Sequence, residues 1–145
     1  MKYYDWQKAT KADGIKFRKA SPNLVALNDH LMKRWGGSNV GIYSKRPERG
    51  GDKPSSHSFG AALDWRYGSR TSGVSAVKFV IDNHEKLGVQ MVIDYVGCRI
   101  WDCIGRKWRT LEPNKAKGLG ESWAQWFHIE TTKDAWGTNK PVQDR

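Results

Sequence analysis

Three short segments of strand-like sequence, separated by turns, dominate the second half of the chain and most constrain its fold. They are VQMVIDYV (89–96), RIWDC (99–103) and KWRTL (107–111). Their β-branched and aromatic residues predict strands, and the stretch 103–107, which contains Gly105, predicts a hairpin turn. The alternating segment QWFHIET (125–131) predicts a further strand. Together these segments favour a mostly antiparallel sheet.

Two helical patterns lie upstream of these strands. Residues 21–34 open with Ser21 and Pro22, a pair typical of a helix start, and continue with leucines at helical spacing. A second helix is marked by apolar residues from Val74 to Leu87 and should end before Gly88. The segment NVGIYS (39–44) predicts a short strand. The expected fold class is therefore α+β, a mostly antiparallel sheet with flanking helices.

The chain has the length of one domain, 145 residues, and shows neither an internal repeat nor a Pro/Gly linker. We expect residues 1–145 to form one domain, with a motif-bearing core at about 21–136 and a loose tail at 137–145. The N-terminus lacks the apolar segment of a secretory signal, and no apolar run is long enough to cross a bilayer. A cytosolic place of synthesis, a monomer and no membrane insertion are the corresponding expectations.

The net charge of +10 comes from 25 basic residues spread along the chain. Such a charge favours encounter with polyanions, which include nucleic acid, an anionic membrane and an anionic cell wall. Charge alone does not choose among them. Cys98 and Cys103 are too few for a disulfide framework, and we interpret them as ordinary strand or turn residues, with a local disulfide as the alternative.

His57 and Asp64 stand seven residues apart around Gly60 and are candidate metal ligands. A regular strand would send them to opposite faces, whereas a bend or bulge at the glycine could bring them together. An open zinc site needs a third protein ligand, and His128 in the alternating segment WFHIE is the best candidate. We expect His30, like His84, to be a surface side chain. From the residues alone, a hydrogen-bonded structural role competes with metal binding.

The segment SSHSFGAALD (55–64) resembles the S-x-H-x-x-G-x-A-x-D motif of the D-Ala-D-Ala carboxypeptidase and dipeptidase family. That family includes vancomycin-resistance dipeptidases, many phage endolysin peptidases and, by shared fold, the hedgehog signalling domain. YSKRP (43–47) is similar to the strand end that precedes the motif there, and WFHIE (126–130) to the family's last strand. The resemblance implies a hedgehog-like peptidase fold and one zinc ion held by His57, Asp64 and His128.

The resemblance leaves the general base open. The family usually has an acidic residue three positions before the last histidine, where this chain has Gln125, an amide that cannot accept a proton from water. Glu121, in the preceding segment, is one candidate base. Glu130 is a second candidate, or a residue that orients an imidazole. The third alternative is that neither carboxylate is the base. Arg46 could stabilise the oxyanion or be a solvated loop residue.

Three functions compete at this level. The leading hypothesis is a zinc-dependent peptidoglycan peptidase of the phage endolysin type, which stays in the host cytoplasm until lysis and then acts on the cell wall. The second is a catalytically silent zinc module that binds the wall or another partner, favoured by Gln125. The third is a basic nucleic-acid-binding protein, which leaves the histidine and aspartate set unexplained and lacks a recognised motif.

Overall fold

A computed structural model describes residues 1–9, 15, 17–44, 55–112 and 118–145. Its helices are α1 (Pro22–Trp35), α2 (Arg70–Asp82) and α3 (His84–Leu87). Its strands are β1 (Ser38–Gly41), β2 (Ala62–Arg66), β3 (Val89–Asp94), β4 (Arg99–Asp102), β5 (Trp108–Thr110) and β6 (Trp126–Thr131). Short 3-10 turns cover Trp6–Lys8, Ser56–Phe59 and Val142–Asp144.

The described strands form one sheet in the order β1-β2-β6-β3-β4-β5, and the neighbours pair antiparallel. This confirms the α+β class with a mostly antiparallel sheet. Strand β6, the last in sequence, lies in the interior of the sheet between β2 and β3. The centre of the sheet is therefore formed by segments that are far apart in the chain.

The first helix begins as its sequence predicts. The Ser21 side chain caps it by accepting from the Leu24 amide, Pro22 occupies the first turn, and the buried leucines face the sheet. The second predicted helix is divided at Asn83 into α2 and α3, and Gly88 ends α3 in the left-handed conformation.

The helices of the described residues pack against one face of the sheet. Leu63 and Trp65 of β2 and Phe127 and Ile129 of β6 point to that face and join the leucines of α1 in the main core. Because side chains alternate along a strand, the residues between them point to the opposite face. That second face carries the polar residues of β2 and β6 considered below.

The C-terminal segment departs from its prediction. We expected a loose tail at 137–145, but Val142 is only 2% exposed and belongs to the main core. The Arg145 guanidinium also donates to Asn23 Oδ1 at 2.5 Å. Val142 and the Arg145–Asn23 hydrogen bond hold the segment against α1. A single apolar residue and a single polar contact leave no periodic pattern in the sequence.

Cys98 and Cys103 are free thiols, each partly buried. The Cys98 Sγ lies 2.8 Å from the Leu111 carbonyl oxygen. No helix in the described part of the chain is long and apolar enough to cross a membrane.

Candidate metal centre

Strand pairing places three polar side chains together on the face of the sheet opposite the main core. Asp64 of β2 lies directly opposite His128 of β6, and Ala62 lies opposite Glu130. Residues paired across antiparallel strands share a face, as do residues two apart on one strand. Asp64, His128 and Glu130 therefore project from the same side of the central strands.

His57 reaches this face from a turn, not from a strand with a bulge as the spacing suggested. Ser55 caps the 3-10 turn by accepting from the His57 amide at 3.2 Å. Gly60 ends the turn with φ +62°, and a Cβ there would collide with the Lys19 carbonyl oxygen. Only glycine fits this position, and it lets the chain turn directly into β2.

The three predicted ligands converge around the Asp64 carboxylate. His57 Nε2 is 3.2 Å from Asp64 Oδ2, and His128 Nδ1 is 3.2 Å from Asp64 Oδ1. One ligand atom from each residue lies within 4.8 Å of the others. His57 is 4% exposed, and Asp64 and His128 are each 7% exposed, so the cluster is buried.

The far nitrogen of each imidazole faces a hydrogen-bond acceptor. His57 Nδ1 lies 2.9 Å from the Ile42 carbonyl oxygen, and His128 Nε2 lies 3.0 Å from Glu130 Oε2. A carbonyl and a carboxylate can only accept, so these two nitrogens carry protons and donate. The lone pairs that can bind a metal are then His57 Nε2 and His128 Nδ1, the nitrogens nearest Asp64.

The electrostatics of the cluster favour an ionised aspartate beside a protonated His128 when no cation is bound. Burial raises the pKa of Asp64, but its contacts with the His128 and His57 rings outweigh burial and bring the pKa well below its usual range. Burial lowers the pKa of His128, but hydrogen bonds to Asp64 and Glu130 outweigh it and raise the pKa to about 10. A divalent cation can replace the proton on His128 Nδ1.

These residues fit a zinc ion. Two imidazole nitrogens and one carboxylate oxygen are the donor set of open zinc sites, which leave a fourth position for water or substrate. Both histidines have the outer acceptor that metal-bound imidazoles usually have, a backbone carbonyl for His57 and a carboxylate for His128.

The two candidate bases have different surroundings. Glu130 is buried, and both its oxygens are engaged, Oε2 by His128 and Oε1 by the Gln90 amide at 3.1 Å. It lies on the side of the His128 ring away from Asp64, which suits an orienting acceptor. Glu121 is exposed in the loop before β6. Arg46 lies outside the described residues.

The remaining histidines stay apart from the cluster, but they are not simple surface side chains. His30 stacks on Phe79 with ring centroids 5.1 Å apart, and His84 meets Trp101 edge-on at 4.8 Å. Both are half-buried, His30 against Phe79 of α2 and His84 against Trp101 of β4.

Sequence reasoning missed two polar residues of this site. Ser56 Oγ lies 3.4 Å from His128 Nε2, and the Gln90 amide contacts Glu130. The signal for Gln90 was available, since it is a lone amide in the otherwise apolar start of β3. The signal for Ser56 was weaker, because the resemblance treats that position as variable.

Comparison with known proteins gives one family. The family model described as VldE, C-terminal domain, matches residues 16–121. The matched span contains His57, Asp64 and Gln90 and ends before His128 and Glu130. No curated protein and no solved structure matches this chain.

Proposed function

The chain belongs to the VldE C-terminal domain family, and we propose that it is a zinc-dependent peptidase that hydrolyses a peptide bond of bacterial peptidoglycan. The family description carries no reaction, so the proposal rests on the site. The observation that carries it is the convergence of His57 Nε2, an Asp64 oxygen and His128 Nδ1, with the far nitrogen of each ring held by an acceptor.

The substrate class comes from the motif. Ser55, His57, Gly60, Ala62 and Asp64 match every specified position of the S-x-H-x-x-G-x-A-x-D pattern of the D-Ala-D-Ala peptidase family. Ser55 and Gly60 have local roles here that explain their place in the pattern, as the cap and the end of the His57 turn. The positive charge of the chain would favour encounter with an anionic wall.

His57, Asp64 and His128 would hold the zinc ion. Zinc there would polarise the scissile carbonyl and lower the pKa of a water molecule towards neutrality. Glu130 would keep the proton on His128 Nε2 and so keep Nδ1 available. With both oxygens of Glu130 engaged, Glu121 is the better candidate to accept a proton from water and return it to the leaving amine.

A catalytically silent zinc module is the second candidate. It is favoured by one observation: Gln125 stands where the resembled family carries its acid, and it is exposed directly before β6. An amide cannot accept the proton that hydrolysis requires. This alternative keeps the metal site and removes turnover.

The test is release of peptides from purified peptidoglycan, followed by mass analysis, for untreated, chelator-treated and zinc-restored protein. We expect release to be lost on chelation and restored by zinc. Glu121→Gln should abolish release and leave zinc affinity unchanged, whereas Glu112→Gln, at another exposed glutamate, should change neither. Zinc binding without release from any of several wall types would overturn the peptidase and favour the silent module.

A further inference from the structure

Gln90 occupies an irregular position in the sheet beside the metal cluster. The register between β3 and β6 shifts between Val89 and Met91, so Gln90 is an extra residue in the ladder. Its side chain is fully buried. An extra residue in an antiparallel pair re-aims a side chain, and here the amide is aimed at Glu130, which lies on the face with the cluster.

The hydrogen bonds of the Gln90 amide account for both its donor and its acceptor groups. Its Nε2 donates to the Tyr4 carbonyl oxygen at 2.7 Å and to Glu130 Oε1 at 3.1 Å. Its Oε1 accepts from the Tyr4 amide at 2.9 Å. An amide side chain that pairs with a backbone N–H and C=O imitates a neighbouring strand. Gln90 thus joins the N-terminal segment to Glu130.

Glu130 connects Gln90 to the metal cluster, because its two oxygens contact Gln90 and His128. With Oε1 held by Gln90, its Oε2 lies 3.0 Å from His128 Nε2. A carboxylate fixed at one oxygen has less freedom to rotate, so it holds the imidazole in one orientation. A glutamate at position 90 would instead place an acceptor against Glu130 and lose both donated bonds.

The N-terminal segment also contacts the turn that carries His57. The Trp6 ring packs against Phe59 of that turn with centroids 5.7 Å apart, and Trp6 Nε1 donates to the Thr131 carbonyl at 2.9 Å. The segment therefore contacts both the turn that carries His57 and the strand that carries His128.

We propose that Gln90 is a positioning residue of the metal centre, which couples docking of the N-terminal segment at Tyr4 to the orientation of His128 through Glu130. The role in zinc binding rests on the proposed function, but the coupling to the His128 ring does not. Because coupling is reciprocal, an ion bound at His128 should also stabilise the docked N-terminal segment.

The first measurement is the solvent exchange of the His128 Nε2 proton by NMR of ring-labelled, metal-free protein. Gln90→Met keeps the length of the side chain and removes its hydrogen bonds, and Gln143→Met makes the same change at an exposed position. We expect exchange at least several-fold faster in Gln90→Met and unchanged in Gln143→Met. Equal exchange in Gln90→Met and the unaltered protein would overturn the proposal.

Two further readouts use zinc. Competition with a chromophoric chelator should show about tenfold weaker zinc binding for Gln90→Met, at the lower end of the loss seen for partners of metal ligands. Zinc should also slow amide exchange at Tyr4 in the unaltered protein. If the unaltered protein binds no zinc, the proposed function fails, and the ring-proton comparison alone decides on Gln90.

A second variant tests the same coupling if Gln90→Met does not fold. Trp6→Phe removes the bond to Thr131 and leaves Gln90 and Glu130 in place. We expect a smaller acceleration of the His128 ring-proton exchange, because the N-terminal segment docks less firmly. An unchanged ring proton, together with faster Tyr4 amide exchange, would show that the segment and His128 are uncoupled and would overturn the proposal.

Discussion

Asp64 lies directly opposite His128 in the β2–β6 pair, and its Oδ1 is 3.2 Å from His128 Nδ1. Both side chains leave paired interior strands, so their separation is determined by the backbone ladder and not by a loop. His57 joins them from a turn capped by Ser55. Ligands held on regular elements are better preorganised than ligands on loops, which suits a metal centre.

Glu130→Gln should weaken zinc binding about 10–100-fold, the usual cost of losing the partner of a metal-bound histidine. The uncharged amide oxygen of Gln accepts a weaker hydrogen bond from His128 than a carboxylate does, and the substitution adds no bulk. At saturating zinc the variant should retain peptide release, because Glu130 orients and does not transfer the proton. Measurement of zinc affinity and of release at saturating zinc separates the two roles. Unchanged affinity with lost release would make Glu130 the base.

Zinc binding should release a proton near neutral pH. Burial lowers the pKa of His128, but its hydrogen bonds to Asp64 and Glu130 raise it to about 10, so at pH 7 both ring nitrogens are protonated without a metal. The ion must displace the Nδ1 proton. Apparent affinity should therefore rise about tenfold per pH unit below that pKa and level off above it. Calorimetry in buffers of different ionisation enthalpy gives the number of protons released per zinc ion. Zinc binding without proton release would contradict the assignment of a proton to His128 Nδ1.

Gly60→Ala should destabilise the fold and disturb the His57 turn. The left-handed backbone alone costs about 1–2 kcal/mol for a residue with a Cβ, and the added atom would also collide with the Lys19 carbonyl. Gly137→Ala is the matched control, since a Cβ there has open space. Urea unfolding of both variants measures the difference. Equal stability of the two would show that the turn tolerates a side chain.

The buried Asp94 should make stability depend on acid pH, away from the metal cluster. Burial raises the pKa of Asp94. The hydrogen bonds that it accepts from Arg70, the Gly97 amide and Arg99 outweigh burial and bring the pKa below its usual value. A lowered folded-state pKa stabilises the protein above the unfolded-state pKa, near 3.9, and this contribution is lost as pH falls through the folded-state value. We expect Asp94→Asn to lower the free energy of unfolding at pH 7 by about 1.5–3 kcal/mol.

The control for that substitution is Asp82→Asn, which removes an exposed pair with Lys78 and should change stability by less than about 0.5 kcal/mol. The gap between the two variants should narrow as the pH of the unfolding experiment is lowered to 3. A gap that does not depend on pH would mean that packing, and not the charge of Asp94, explains the loss.

Local sequence signals predicted most helices and strands, whereas they did not predict contacts between segments that are distant in the sequence. Ser21 with Pro22 indicated the start of α1, and Gly88 the end of α3, because caps act within a few residues. The grouping of His57, Asp64 and His128 came from a motif and one alternating segment. The lone amide in the apolar start of β3 marks Gln90 as unusual, but its role depends on a register shift and on a partner 86 residues away, Tyr4, which no pattern within β3 indicates.

Zinc content is the most direct test of the metal centre on which this account depends. Protein saturated with zinc and then dialysed should retain one ion per chain, and Asp64→Asn should retain none. Asp29→Asn, at an exposed aspartate of α1, should retain the full content. X-ray absorption should show imidazole nitrogens and a carboxylate oxygen at about 2.0–2.2 Å from the ion. No retained zinc in the unaltered protein, or full retention in Asp64→Asn, would contradict the account.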